Sequence, residues 1–144
     1  MTSEEQRQVI ERIRQSLTGS SGKILLIEDI QEDAELAISV LKGAGLVTVW
    51  AKDAKEAFDA VRQTNYWVIL LDLKLHNVSG IEVLRTIKDI KADSRVIVLT
   101  GAYDRDSEEC KEALRQGAVW VMLKPLTAEQ IGLIFSQPGQ EGMT

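Results

Sequence analysis

The chain is short of the residues on which stapled or metal-clustered folds depend. Its 144 residues hold one cysteine, Cys110, and one histidine, His76. That excludes an internal disulfide and a Cys/His zinc site, and a histidine-dependent serine triad could be built only on His76. A lone cysteine fits a reducing compartment, so a cytoplasmic location is expected. Cys110 stands among Glu108, Glu109 and Glu112 and is expected to be inert. No apolar run approaches the roughly 20 residues of a membrane span, and Met1–Arg7 is too polar for a secretory signal. A basic surplus is missing as well. The net charge is -5, the pI is near 5.0, and the positive side chains are scattered along helix faces. Neither nucleic acid nor membrane is therefore expected as a partner.

What is present is an ordinary globular balance, 44% hydrophobic and 27% charged, in a length suited to one domain with a real core. Short apolar runs alternate with stretches of helical period. The runs are Lys23–Ile27, Leu46–Trp50, Tyr66–Asp72, Val96–Thr100 and Val119–Leu123. Between them, Leu36, Val40 and Leu41 mark the inner face of a first helix that Gly43 and Gly45 end. Asp53 and Glu56 form a capping box ahead of Ala57, Phe58 and Val61. Ile81, Leu84 and Ile87 mark a third helix, and Ala113 and Leu114 are the inward positions of a charged fourth. Thr127 caps a last one carrying Ile131, Ile134 and Phe135. Strict alternation of this kind predicts an α/β fold, a parallel sheet with helices on both faces.

Ahead of this unit, Val9, Ile10, Ile13 and Leu17 predict an amphipathic N-terminal helix, with Thr18–Gly22 as a linker. The expected division is 1–21 helix and linker, 22–137 domain, and 138–144 polar tail. Gly19-Ser20-Ser21-Gly22-Lys23 resembles a phosphate-binding loop only superficially. It precedes a strand, Ile24 replaces the required Ser/Thr, and Leu17 stands where the first glycine belongs.

Four of the strands stop at polar groups: Glu28-Asp29, Asp72, Thr100 and Lys124. Asp72 closes the most apolar run of the chain, where an ionised carboxylate is costly unless it meets a cation or serves a reaction. In a parallel sheet these groups converge at the carboxyl edge, where ligands of such sheets bind. Three carboxylates there repel one another, and a divalent cation is the natural remedy. Magnesium would leave coordination positions open for phosphoryl oxygens, Lys124 supplies a point positive charge, Thr100 a hydroxyl, and an aspartate can form an aspartyl-phosphate.

Together these motifs resemble a response-regulator receiver domain over about residues 22–137. The residues that carry the likeness are Glu28-Asp29, Asp72 in Val68–Leu73, Gly80 after Val78-Ser79, Thr100-Gly101 and Lys124-Pro125. The resemblance implies a flavodoxin-like five-stranded sheet in the order 2-1-3-4-5. It implies that Asp72 takes a phosphoryl group from a histidine kinase or phosphotransfer protein. Glu28, Asp29, Asp72 and the backbone carbonyl of Lys74 would ligate Mg2+, and Thr100 and Lys124 would hold the phosphoryl oxygens. Lys124-Pro125 is expected to be cis. The domain would be a stand-alone signalling switch and not an enzyme in the usual sense. It would act through altered contact with a downstream protein or through a homodimer.

Three positions depart from the family pattern. His76 stands where proline is usual and is expected to be an exposed loop residue. Lys74 has a side chain that could lean over the acidic cluster. Val121 replaces the usual aromatic three residues before the lysine, while Trp120 should point to the opposite face of its strand. Val121 and the extra N-terminal helix support an alternative, an interaction or dimerisation module of receiver fold whose output does not depend on phosphorylation.

Overall fold

Apolar runs of four or five residues cannot cover themselves, and here Ile24–Ile27, Val68–Asp72 and Val96–Thr100 are buried throughout between two helical layers, Thr48–Ala51 and Trp120–Leu123 in part. The computed structural model describes Glu4, Gln8 and residues 22–101, 104 and 106–135. The elements are β1 (Ile24–Ile27), α1 (Gln31–Gly43), β2 (Thr48–Ala51), α2 (Ala54–Gln63), β3 (Val68–Asp72), α3 (Gly80–Ile90), β4 (Val96–Thr100), α4 (Glu108–Arg115), β5 (Trp120–Leu123) and α5 (Ala128–Phe135). All four strand pairings are parallel, and the order is β2-β1-β3-β4-β5. The alternating pattern and the flavodoxin-like order are thus both observed. Of the N-terminal segment only Glu4 and Gln8 are described, both helical and exposed. The expected amphipathic stripe, the Thr18–Ser21 part of the linker and the 138–144 tail lie outside the described residues.

Strand alternation sorts the core into two halves. Ile24, Leu26, Val68, Leu70, Ile97, Leu99 and Met122 pack with Ala34, Ala37 and Leu41 of α1 and Ile131 of α5. Leu25, Ile27, Ile69, Leu71, Val96 and Val98 pack with α2, α3 and α4 through Ala57, Val61, Val83, Leu84, Ile87, Cys110 and Ala113. Each such aliphatic side chain contributes on the order of 1.5–3 kcal/mol by leaving water. Trp120 packs on the first half and Val121 on the second, so the two neighbours do face opposite ways.

The caps form where the sequence placed them. Asp53 Oδ1 accepts the Glu56 N–H at 2.8 Å, and Glu56 reaches back to the Lys52 N–H. Thr127 and Gln130 cap α5 reciprocally at 3.2 Å. The turn after α1 is closed by Gly45 at φ +82, a conformation that favours glycine. Two inner-face assignments are overturned. Leu36 is 52% exposed and Leu114 41% exposed. The buried positions of α1 are Ala34, Ala37 and Leu41, and those of α4 are Cys110 and Ala113. Spacings of three and four residues through small side chains set these faces, and the bulkier leucines lie off them. The side chains of residues 133–135 lie outside the description, so the expected inward Ile134 and Phe135 are not placed.

Candidate functional site

The register brings the strand ends level. Ile27 pairs with Leu71, Asp72 with Leu99 and Thr100 with Leu123. Glu28 and Asp72 are each 1% exposed, and Thr100 is equally buried. Continuing each strand's alternation, Glu28 follows Leu26, Asp72 follows Leu70 and Lys124 follows Met122, so all three turn toward α1. Lys124 Nζ donates to Glu28 Oε1 at 2.9 Å and to Asp72 Oδ2 at 3.0 Å. Its third donor goes to Asp33 Oδ2 at 3.1 Å. Lys124-Pro125 is cis, as expected.

Asp33 was not foreseen. Its signal was available: it lies in the acidic first turn of α1, four residues after Asp29 and four before the buried Ala37. With Glu28 and Lys124 it borders a cleft of about 200 Å³ whose other walls are Leu36, Ala37, Leu99, Pro125 and Leu126.

Glycine at position 80 has a geometric cause. A Cβ there would stand 2.6 Å from the Leu73 Cα and 2.7 Å from its carbonyl oxygen. Only a residue without a side chain lets the start of α3 close against the backbone just past Asp72. In the same turn, the Lys74 N–H donates to Asp72 Oδ1 at 2.9 Å. The Lys74 side chain does not lean over the acidic cluster. Its Nζ reaches toward Asp104, 4.0 Å away in the loop after β4. Thr100 sits one strand over, following Val98, and no hydrogen bond joins its hydroxyl to the Lys124 cluster among the described residues.

His76 is exposed, with 68% of its side chain accessible, but it is not idle. Its backbone N–H donates to Asp29 Oδ2 at 2.8 Å, and its ring Nδ1 contacts the same oxygen. The expectation of an exposed loop residue holds, and the contact with Asp29 is added to it, because proximity of residues so far apart in sequence is set by the fold.

The charges bear on one another. Burial pushes the Glu28 carboxyl up to about 7, helped by its hydrogen bond to the Asp72 carboxyl and opposed by Lys124. Burial works against the Lys124 ammonium, yet its bonds to Glu28, Asp72 and Asp33 outweigh it and hold the group well above the ordinary lysine value. Burial would likewise raise Asp29, but the two hydrogen bonds from His76 prevail and hold it below the ordinary carboxylate value.

Donor oxygens of Glu28, Asp29 and Asp72 lie within 4.8 Å of one another. Asp29 Oδ1 is buried and has no hydrogen-bond partner among the described residues. An all-oxygen set with one unsatisfied buried acceptor fits a hard divalent cation such as Mg2+. None of the described helices is long and apolar enough to cross a membrane.

Comparison with known proteins agrees with this geometry. The chain is 31% identical over 109 residues to the cell cycle transcriptional regulator CtrA of Caulobacter vibrioides, covering 76% of this chain and 46% of CtrA. A response regulator receiver domain protein from Clostridium thermocellum is 29% identical with a TM-score of 0.70, covering 78% of this chain and 90% of that one. The receiver domain of NtrX from Brucella abortus is 26% identical with a TM-score of 0.71, covering 78% and 93%. The chain thus spans less than half the length of CtrA, whose name is that of a transcriptional regulator, so an expectation of no nucleic-acid partner finds no support here. Residues 24–135 match the response regulator receiver domain, and with them the chain belongs to that family of two-component signalling domains.

Proposed function

We propose that Asp72 accepts a phosphoryl group from a histidine kinase or phosphotransfer protein, and that the modified domain signals by altered contact with another protein. The supporting observation is the buried Lys124–Asp72 contact of 3.0 Å at the carboxyl edge of the sheet. It sets a cation beside a carboxylate that the core would otherwise reject. A carboxylate oxygen of Asp72 attacks phosphorus, a P–O bond forms, and the donor's P–N bond breaks with its electron pair returning to the imidazole. Hydrolysis of the resulting acyl phosphate restores the carboxylate and releases inorganic phosphate.

The chain's residues assist by position and charge. The ammonium of Lys124 moves from the Asp72 oxygen to a phosphoryl oxygen while Asp33 keeps hold of it. Thr100 offers its hydroxyl to a second phosphoryl oxygen. Glu28, Asp29, Asp72 and the Lys74 carbonyl would hold Mg2+, which when bound neutralises phosphoryl charge and so assists both uptake and loss of the group. In this reading the domain is a phosphoacceptor and not a conventional enzyme.

A second reading, an interaction or dimerisation module that works without phosphorylation, draws on Val121. That side chain is only partly buried against the α2–α4 half of the core and replaces the aromatic usual in the family. Exposure to a small acyl phosphate with Mg2+ separates the two. Mass spectrometry should show one added phosphoryl group on the native chain and none on Asp72→Asn. Equal uptake by both, or by neither, would remove the first reading.

A further inference from the structure

The two oxygens of Asp29 stand in opposite conditions. Oδ2 is held twice by one residue, through the His76 N–H at 2.8 Å and through ring Nδ1. A carboxylate accepts only, so Nδ1 carries the hydrogen. Oδ1 is buried and lacks a partner among the described residues, beside the carboxylates of Glu28 and Asp72. Neither nearby lysine supplies it: the Lys124 bonds go to Glu28, Asp33 and Asp72, and Lys74 turns to Asp104.

We infer that His76 is a positioning residue for the cation site, holding Asp29 by Oδ2 so that Oδ1 is presented to a divalent cation shared with Glu28 and Asp72. The inference rests on the cation-site reading above and adds to it a residue outside the ligand set. The imidazole is not itself among the side chains whose donor atoms lie within 4.8 Å of one another. It therefore acts on the cation through Asp29.

The physical reason is preorganisation. The terminal torsion of an aspartate is broad, so an untethered Asp29 could turn either oxygen, or neither, into the site. Two donors on one oxygen remove that freedom before the cation arrives, and outer partners of this kind raise metal affinity by orienting the ligand. Proline, which the family pattern places at this position, has neither an N–H nor a ring donor and could make neither bond. The ring bond is exposed and adds little to folding. Its consequence falls on the cation.

The test is calorimetric titration of Mg2+ into the full chain at about pH 9, above the ordinary imidazole range. That limits the positive charge that removing the ring deletes, even though Asp29 raises the His76 value. His76→Ala keeps the backbone N–H and loses the ring. His76→Pro loses both donors. His76→Asn places a neutral N–H where Nδ1 stands. The expected result is a dissociation constant about three- to tenfold weaker for His76→Ala, weaker again for His76→Pro, and near native for His76→Asn, scaled down for exposure from the larger outer-shell effects known for metals. Thermal unfolding without metal should stay unchanged in His76→Ala. Native affinity in both the alanine and proline variants would overturn the inference while leaving the cation site standing. So would a loss that asparagine does not restore. Absence of Mg2+ binding by the native chain would overturn the cation-site reading and the inference together.

Discussion

The Glu28 carboxyl should make the metal-free domain less stable as pH rises. Burial and the Asp72 carboxyl lift its pKa from 4.5 to about 7. A carboxyl whose pKa is raised on folding binds its proton more tightly in the native state. The associated stability is fully present below about pH 4.5 and is lost as pH climbs through about 7. At about 1.4 kcal/mol per pH unit, the displacement corresponds to about 3 kcal/mol across that window. Glu28 is only 1% exposed, but Asp72 and Lys124 share in its titration, so about 3 kcal/mol is the upper end of the effect. His76, whose pKa Asp29 raises, adds a slope of the same sign, and the lowered Asp29 adds one of opposite sign at acid pH. Comparison with Glu28→Gln isolates the Glu28 part, since both chains keep that pair. Urea unfolding with a chelator present, from about pH 5 to about pH 8, should show the native chain losing stability relative to Glu28→Gln by up to about 3 kcal/mol. Mg2+ should abolish the difference and, near pH 6, release close to one proton on binding, measurable by calorimetry in buffers of different ionisation enthalpy. A flat difference between the two chains would refute the account of Glu28 as a buried carboxyl protonated beside Asp72.

Gly80→Ala forces a Cβ into the Leu73 backbone at 2.6 Å, and neither backbone can yield as a flexible side chain would. It should cost about 1–3 kcal/mol in denaturant unfolding, and an unchanged midpoint would refute the close approach. Leu41→Ala, at a fully buried position, should cost about 2–5 kcal/mol. Leu36→Ala, 52% exposed on the same helix, should stay within about 0.5 kcal/mol. The reverse order would mean that α1 buries the other face.

Much of the site was legible because Glu28, Asp72, Thr100 and Lys124 each stand at the end of an apolar run. A charged group that closes a strand is conspicuous against a hydrophobic background, and parallel strands must deliver their ends to one edge. Glu28, Asp72 and Lys124 were found this way, and distances of 2.9 and 3.0 Å confirm their convergence. Asp33 escaped because an acid in the first turn of a helix has an ordinary reason to be there, favourable interaction with the helix dipole. His76 escaped because a loop residue has no periodicity to betray which neighbour it meets.

The linear pattern by itself determined the alternation of five strands and five helices, the Asp53 and Thr127 caps, and the set of polar groups at the strand ends, since these depend on local period and on which side chains water rejects. Tertiary structure alone decided that Ala37 and Cys110 lie in the core while Leu36 and Leu114 stay outside it. It also decided that all the Lys124 bonds go to acids, that Gly80 must be bare to pass Leu73, and that His76 lies on Asp29. Those are contacts between segments far apart in the chain, and their distances exist only once the sheet has aligned its strands.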